Sequence, residues 1–313
     1  MSDPTPRPWR RRLRRATLVS GAGLVVTIAL LAASVEHDPP PATPILERRE
    51  DAGAGYELNF VQLWVTTPGD PERHKVQILE YRSTQPGRRP AVIVTPMFGG
   101  RQPIARRLGP ALARRGIHAA VVLRAERYLV GDAPPERLER VLRTAVIDRR
   151  RTLDWLAGQP HVDPQRFGAL GVSLGGLGTA LLCATDSRIK AGVLVLAGGG
   201  LETLIPSSRE RRALEFVAAW KARGVDASAL QAKIKAAVPS DPLALAGSLD
   251  PARLLFVTAR RDEDVPFANQ QLLWKAAGRP ERYSLPTGHA SSAIYAPWLA
   301  PLCLDWLEAK LSD

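Results

Sequence analysis

The sequence predicts an α/β fold with a mostly parallel central sheet flanked by helices, and three observations predict it. Short apolar runs bounded by turn residues recur along the chain, at 91–95, 118–124, 167–172, 191–197, 253–259 and 281–286. Segments with helical period separate them, clearest in RLERVLRTAVIDRRRTLDWLAG and in the closing WLAPLCLDWLEAKL. The runs are apolar almost throughout instead of alternating with polar residues. That is the pattern of strands buried on both faces, as in a parallel sheet covered by helices on each side.

The 313 residues, 45% of them hydrophobic, are enough for one large domain with a substantial core. The formal net charge of +12 raises the question of a nucleic-acid partner. Six arginines against one aspartate lie within residues 1–15, and the remaining excess is dispersed. No basic stripe interleaved with aromatic residues accompanies it, so nucleic acid is not expected as a partner.

Residues 1–15 form a basic tail, and residues 16–35, ATLVSGAGLVVTIALLAASV, contain no charge. Twenty residues at about 1.5 Å rise span about 30 Å, one hydrocarbon thickness, whereas the apolar part of a cleavable signal usually runs about 7–15 residues. An uncleaved transmembrane anchor is therefore expected. Ala32-Ala33-Ser34 is compatible with signal cleavage, which keeps a secreted form open. In both cases the arginines stay in the cytoplasm and the remainder is exported, to the periplasm or cell surface. Residues 36–54, including PPPATP, read as a Pro-rich linker, with the folded domain at 55–313.

Within that domain YELNFVQLWV and HKVQILEYR, joined through TTPGDPER, read as an antiparallel hairpin. Residues 198–249 are too long for a single crossover helix. They contain RERRALEFVAAWKARG and ASALQAKIKAAV, which predict a small helical cap. Its mixed charges identify no one ligand. The two cysteines, Cys183 and Cys303, lie in apolar helical contexts, and spacing alone does not decide whether they pair.

The stretch RFGALGVSLGGLGTALL places one serine, Ser173, at the junction of an apolar run and a helical one, with glycines two residues before and two after it. A serine at the tip of so tight a strand-to-helix turn projects its Oγ, and the helix start behind it offers N–H groups to an oxyanion. Such a nucleophile needs a base, and the chain has five histidines. His37 falls in the linker, His74 at the hairpin, His118 at the start of a strand, and His161 in the loop before the serine's strand. His289, in LPTGHASS after the last strand, lies on the sheet edge that carries Ser173. A carboxylate to orient it should follow the preceding strand, where Asp262, Glu263 and Asp264 stand together.

With these residues the chain resembles the α/β-hydrolases, nearest to the dienelactone-hydrolase and prolyl-oligopeptidase-like esterases, over about 56–311. In that group the acid commonly precedes Val-Pro by two intervening residues. ARRDEDVP matches with Asp262 as the acid, although Ala259 replaces the usual glycine. Asp264 is closer to the helix start and is expected to cap it. The resemblance implies a Ser173-His289-Asp262 triad and an oxyanion hole built from the backbone N–H of Leu174 and, by alignment, of Phe98, with Met97 as the alternative donor. The run TPMFGG departs from the usual His-Gly, and Met97 is a candidate for lining the substrate pocket. The chemistry requires no metal or cofactor. The expected substrate is a small ester or acyl compound and the expected activity carboxylic ester hydrolysis. Acyl transfer to a cell-envelope alcohol, peptide hydrolysis and non-catalytic binding remain as alternatives.

Overall fold

The computed structural model describes residues 45–49, 55–67, 70–96, 103–123 and 126–312. The strands among them are β1 (Ile45–Arg49), β2 (Tyr56–Thr67), β3 (Asp70–Ser83), β4 (Arg89–Thr95), β5 (His118–Leu123), β6 (Val162–Val172), β7 (Ile189–Val195), β8 (Leu254–Ala259) and β9 (Glu281–Leu285). They form one sheet in the order β1-β2-β3-β5-β4-β6-β7-β8-β9. The first three strands run antiparallel, and β3 pairs antiparallel with β5. Every pairing from β5 through β4, β6, β7 and β8 to β9 is parallel.

Burial follows the pairing. In β2, buried Val61, Leu63 and Val65 alternate with half-exposed neighbours, as expected for an antiparallel strand with one face on the core. In β4 the residues from Pro90 to Thr95 are all buried, because helices cover both sides. Helices α1 (Pro103–Arg114) and α8 (Ala296–Ser312) pack on one face, where Leu112, Leu304 and Leu307 meet Val92, Val121 and Val193. Helices α2 (Pro135–Ala157) and α3 (Leu174–Thr185) cover the other, with Leu153, Leu156 and Leu182 against Ile93, Phe167 and Ala169. Helix α7 (Phe267–Ala276) extends that layer through Leu273, beside Leu194 and Phe256.

The segment between β7 and β8 forms α4 (Leu201–Ser207), α5 (Arg211–Ala222) and α6 (Ala227–Ala237). Their apolar faces make a separate core in which Phe216, Trp220, Leu230 and Ile234 cluster with Leu138 and Leu142 of α2. This is the expected helical cap. It is fastened at its start by buried Asp241, whose carboxylate accepts from the backbone N–H groups of Gly200, Leu201 and Leu243.

Two boundaries differ from expectation. Residues 45–49, expected to be linker, form β1 and pair antiparallel with β2, Leu46 opposite Val61. ILERR is too short and too charged to announce a strand alone, and a neighbour with open backbone groups supplies what its pattern lacks. Strand β6 begins at Val162, five residues before the apolar run at Phe167, because Arg89 pairs with Val162. Among the described residues no helix is long and apolar enough to cross a membrane. The apolar segment 16–35 lies outside the described residues. Cys183 and Cys303 are free thiols, and burial pushes both up to about 12.

Candidate active site

Ser173 sits between the end of β6 and the first residue of α3 with φ 57° and ψ −122°, a conformation that side-chain-bearing residues rarely adopt. The flanking glycines make that turn possible for a packing reason. A Cβ on Gly171 would stand 2.1 Å from the carbonyl oxygen of Gly175, and one on Gly175 would stand 2.2 Å from that of Thr95. Helix α3 therefore starts in direct backbone contact with β4 and β6, which drives the serine out at the tip. Its N–H donates to the Val195 carbonyl at 2.7 Å, extending the β6–β7 ladder by one residue. Ser173 is only 7% exposed and lines a cavity beneath the cap.

The same edge carries the other two residues. Leu196 N–H donates to Val257 O, Arg260 N–H to Leu285 O and Arg261 N–H to Thr287 O, so backbone bonds tie together the loops beyond β7, β8 and β9. Gly288 passes so close to the Arg261 carbonyl that a Cβ would lie 3.1 Å from it. His289 follows at the head of a 3-10 turn, Ala290–Tyr295, which is held by Ser292 Oγ donating to Gly288 O at 2.7 Å.

The acid loop settles which of its three carboxylates meets the imidazole. Asp262 Oδ2 lies 2.8 Å from His289 Nδ1. The Asp262 side chain is fully buried, and four N–H groups converge on it. Oδ1 accepts from the amides of Asp264 and Val265, and Oδ2 accepts from His289 and from Gln270 Nε2 at 2.8 Å. Its dense donor set suits an ionised carboxylate. Asp264 does not cap the following helix. The N-cap of α7 is Pro266, with no side-chain cap bond, and Asp264 instead lines the cavity with Glu210.

Burial pulls the His289 pKa down, but the bond to Asp262 and the charges of Asp262, Asp264 and Glu210 outweigh it, and the net shift is upward. The hydrogen bonds of the described residues join Asp262 to His289 and stop short of Ser173. A serine–imidazole bond is commonly long in a hydrolase without substrate and tightens when substrate arrives.

The remaining described histidines are structural. His74 pairs with Asp148 at 2.7 Å. His118 accepts from the Ser83 amide and lies 3.0 Å from the His161 carbonyl, and burial draws its pKa down to about 4. His161 pairs in turn with buried Glu80 at 3.0 Å.

Leu174 is the first residue of α3, where amides lack intrahelical acceptors and can serve an oxyanion. Phe98 and Met97 lie outside the described residues. Three contributors were not anticipated from the sequence: Gln270, completely buried and bonded to Asp262; Glu210, whose carboxylate caps α5; and Ser208, whose hydroxyl donates to the Asp264 carbonyl and ties the cap to the acid loop. None of the three stands out in the sequence: Gln270 lies within the polar run NQQ, and the cap residues Ser208 and Glu210 act on parts of the chain distant in sequence.

No family model matches the sequence, and no curated protein matches it. Solved structures do. An acetyl xylan esterase from Paenibacillus sp. superposes with TM-score 0.69 at 16% identity, covering 90% of this chain and 93% of that one. One from Thermoanaerobacterium sp. gives TM-score 0.67 at 12% identity, covering 91% and 93%. A structure described as a dienelactone hydrolase from Klebsiella pneumoniae gives TM-score 0.52 at 18% identity, covering 77% and 94%. At such identities the likeness establishes the fold, and the fold is that of the α/β-hydrolases.

Proposed function

We propose that the protein is a serine hydrolase that cleaves carboxylic esters through an acyl-enzyme intermediate. The observation that carries this is the buried Asp262–His289 pair at 2.8 Å, on the sheet edge where Ser173 stands at a strained strand-to-helix turn. Asp262 keeps Nδ1 protonated, which leaves Nε2 as the basic nitrogen. Nε2 takes the proton from Ser173 Oγ as Oγ bonds to the ester carbon. The oxyanion that forms is met by the Leu174 N–H, with Phe98 as the expected second donor. The imidazolium then gives its proton to the departing alcohol as the carbon–oxygen bond breaks. Water repeats the cycle on the acyl-serine and releases the acid. That structural neighbours include acetyl xylan esterases supports ester chemistry over peptide chemistry.

The apolar segment 16–35 with its cytoplasmic arginines would hold this domain on the outer side of the membrane. Ser173→Ala tests the mechanism. It should abolish turnover of a simple aryl ester and leave thermal unfolding nearly unchanged, because a hydroxyl facing a cavity contributes little packing. Retention of most activity would remove Ser173 from the chemistry.

A further inference from the structure

We propose that the cavity beside Ser173 is an acyl pocket selective for a neutral aliphatic chain longer than acetyl, a specificity that rests on Ser173 being the nucleophile. The cavity, about 70 Å³, begins at Ser173 and Leu174 and continues between Leu138, Leu142, Leu177, Leu204, Ile205 and Ala213. None of these six is more than 9% exposed, so the apolar part of the space is walled by α2, α3, α4 and α5.

Its direction identifies the part of the substrate it takes. In ester cleavage the departing alcohol receives its proton from the imidazole, so it must lie on the His289 side of Ser173. Neither His289 nor Asp262 lines the cavity. The cavity meets the acid loop at Asp264 and Val265 but is not faced by the imidazole itself, so the space that opens from Ser173 and Leu174 is the one in which the acyl group stays until water releases it. An acetyl group would reach little of this apolar wall, whereas each further methylene buried there favours binding in the transition state.

Charge adds a second limit. Glu210 and Asp264 line the cavity, and among the described residues no lysine or arginine does. Glu210 is held in place by accepting from the amides of Arg212 and Ala213. Two carboxylates, with no cation among the described lining residues to offset them, disfavour an acyl chain that itself ends in a carboxylate.

The test is kcat/KM of the full-length protein in detergent on para-nitrophenyl acetate, butanoate, hexanoate and hemisuccinate. Butanoate should exceed acetate by about fifteenfold, the equivalent of two methylenes at about 0.8 kcal/mol each. Hemisuccinate, of similar length to butanoate, should fall below it. Ala213→Leu, which fills the pocket, should lower the butanoate-to-acetate ratio, and Leu204→Ala, which enlarges it, should raise hexanoate relative to butanoate. One variant weakens and the other strengthens the preference for the longer chain, so misfolding of one leaves the other to decide. Acetate turned over as well as butanoate, or ratios that neither variant moves, would overturn the acyl pocket while leaving the serine hydrolase intact. A folded protein that turns over none of the four esters and takes no fluorophosphonate label would overturn both.

Discussion

Asp262 is the residue on which the site's electrostatics turn. Each of its carboxylate oxygens accepts two N–H groups, from the Asp264 and Val265 amides on one side and from Gln270 and His289 on the other. Asparagine has one oxygen to offer. With that oxygen kept on the two amides, its NH2 would face the Gln270 and His289 donors and favour the wrong imidazole tautomer. Asp262→Asn should accordingly lower kcat by something on the order of 10⁴. It should also cost about 1–3 kcal/mol of stability for the donor left unsatisfied. Measurement of kcat and melting temperature, with solvent-facing Glu263→Gln as control, checks both. A nearly normal kcat would give the orienting role to another acid.

The pH dependence follows from the same cluster. His289 must be neutral to accept the serine proton, and its pKa is raised above its ordinary value of 6.5. Activity should therefore fall as pH drops through a value above 6.5. Asp264 contributes to the rise through its charge. Asp264→Asn should move the acid limb of the kcat/KM profile to lower pH, most visibly at low ionic strength, where screening is weakest. An acid limb that stays in place, or moves up, would contradict this assignment.

At the scale of single residues the sequence was most legible where chemistry restricts the choice. Ser173 announced itself by its glycines, and His289 emerged by elimination. The eliminated histidines that the structure describes are indeed engaged elsewhere, with Asp148, Glu80 and backbone groups. Asp264 was misplaced as a helix cap. Proximity to a helix start does not say where a side chain points, and the Pro-led start of α7 leaves it free to face the cavity.

Secondary elements were legible in proportion to their burial. The largely buried strands β4, β7 and β8 carry continuous apolar runs, and hairpin β2–β3 carries an alternating one. Strand β1 and the first half of β6, VDPQR, carry neither pattern, since pairing with a neighbour holds them. The extent of the cap was readable from its length and helical period. Its fastening by Asp241 and Ser208 was not, because both bonds join residues far apart in sequence. The N-terminal apolar segment 16–35 is the element whose role depends on sequence alone. The full-length protein should remain with membranes through a high-salt wash and keep its arginine cluster inaccessible from outside. A soluble mature form that begins near Val35 would replace the anchor with a cleaved signal and leave export standing.

Across the whole molecule, the parallel strands bring three distant segments to one edge. The order β5-β4-β6 places the Ser173 turn near the centre of the sheet, and the loops after β8 and β9, beyond β7, bring Asp262 and His289 to the same edge. The cap then closes over Ser173 with α4 and α5, and Ser208 ties it to the Asp262–Asp264 loop, so one piece of chain walls the cavity and contacts the candidate site. On this edge Ser173 should act as a nucleophile. The most direct measurement is the site of a fluorophosphonate adduct on the folded protein, located by peptide mass. A single adduct on Ser173, lost in Ser173→Ala and much slower to form in His289→Ala, is the predicted result. A folded protein that takes no label, or takes it on a residue other than Ser173, would rule out Ser173 as the nucleophile.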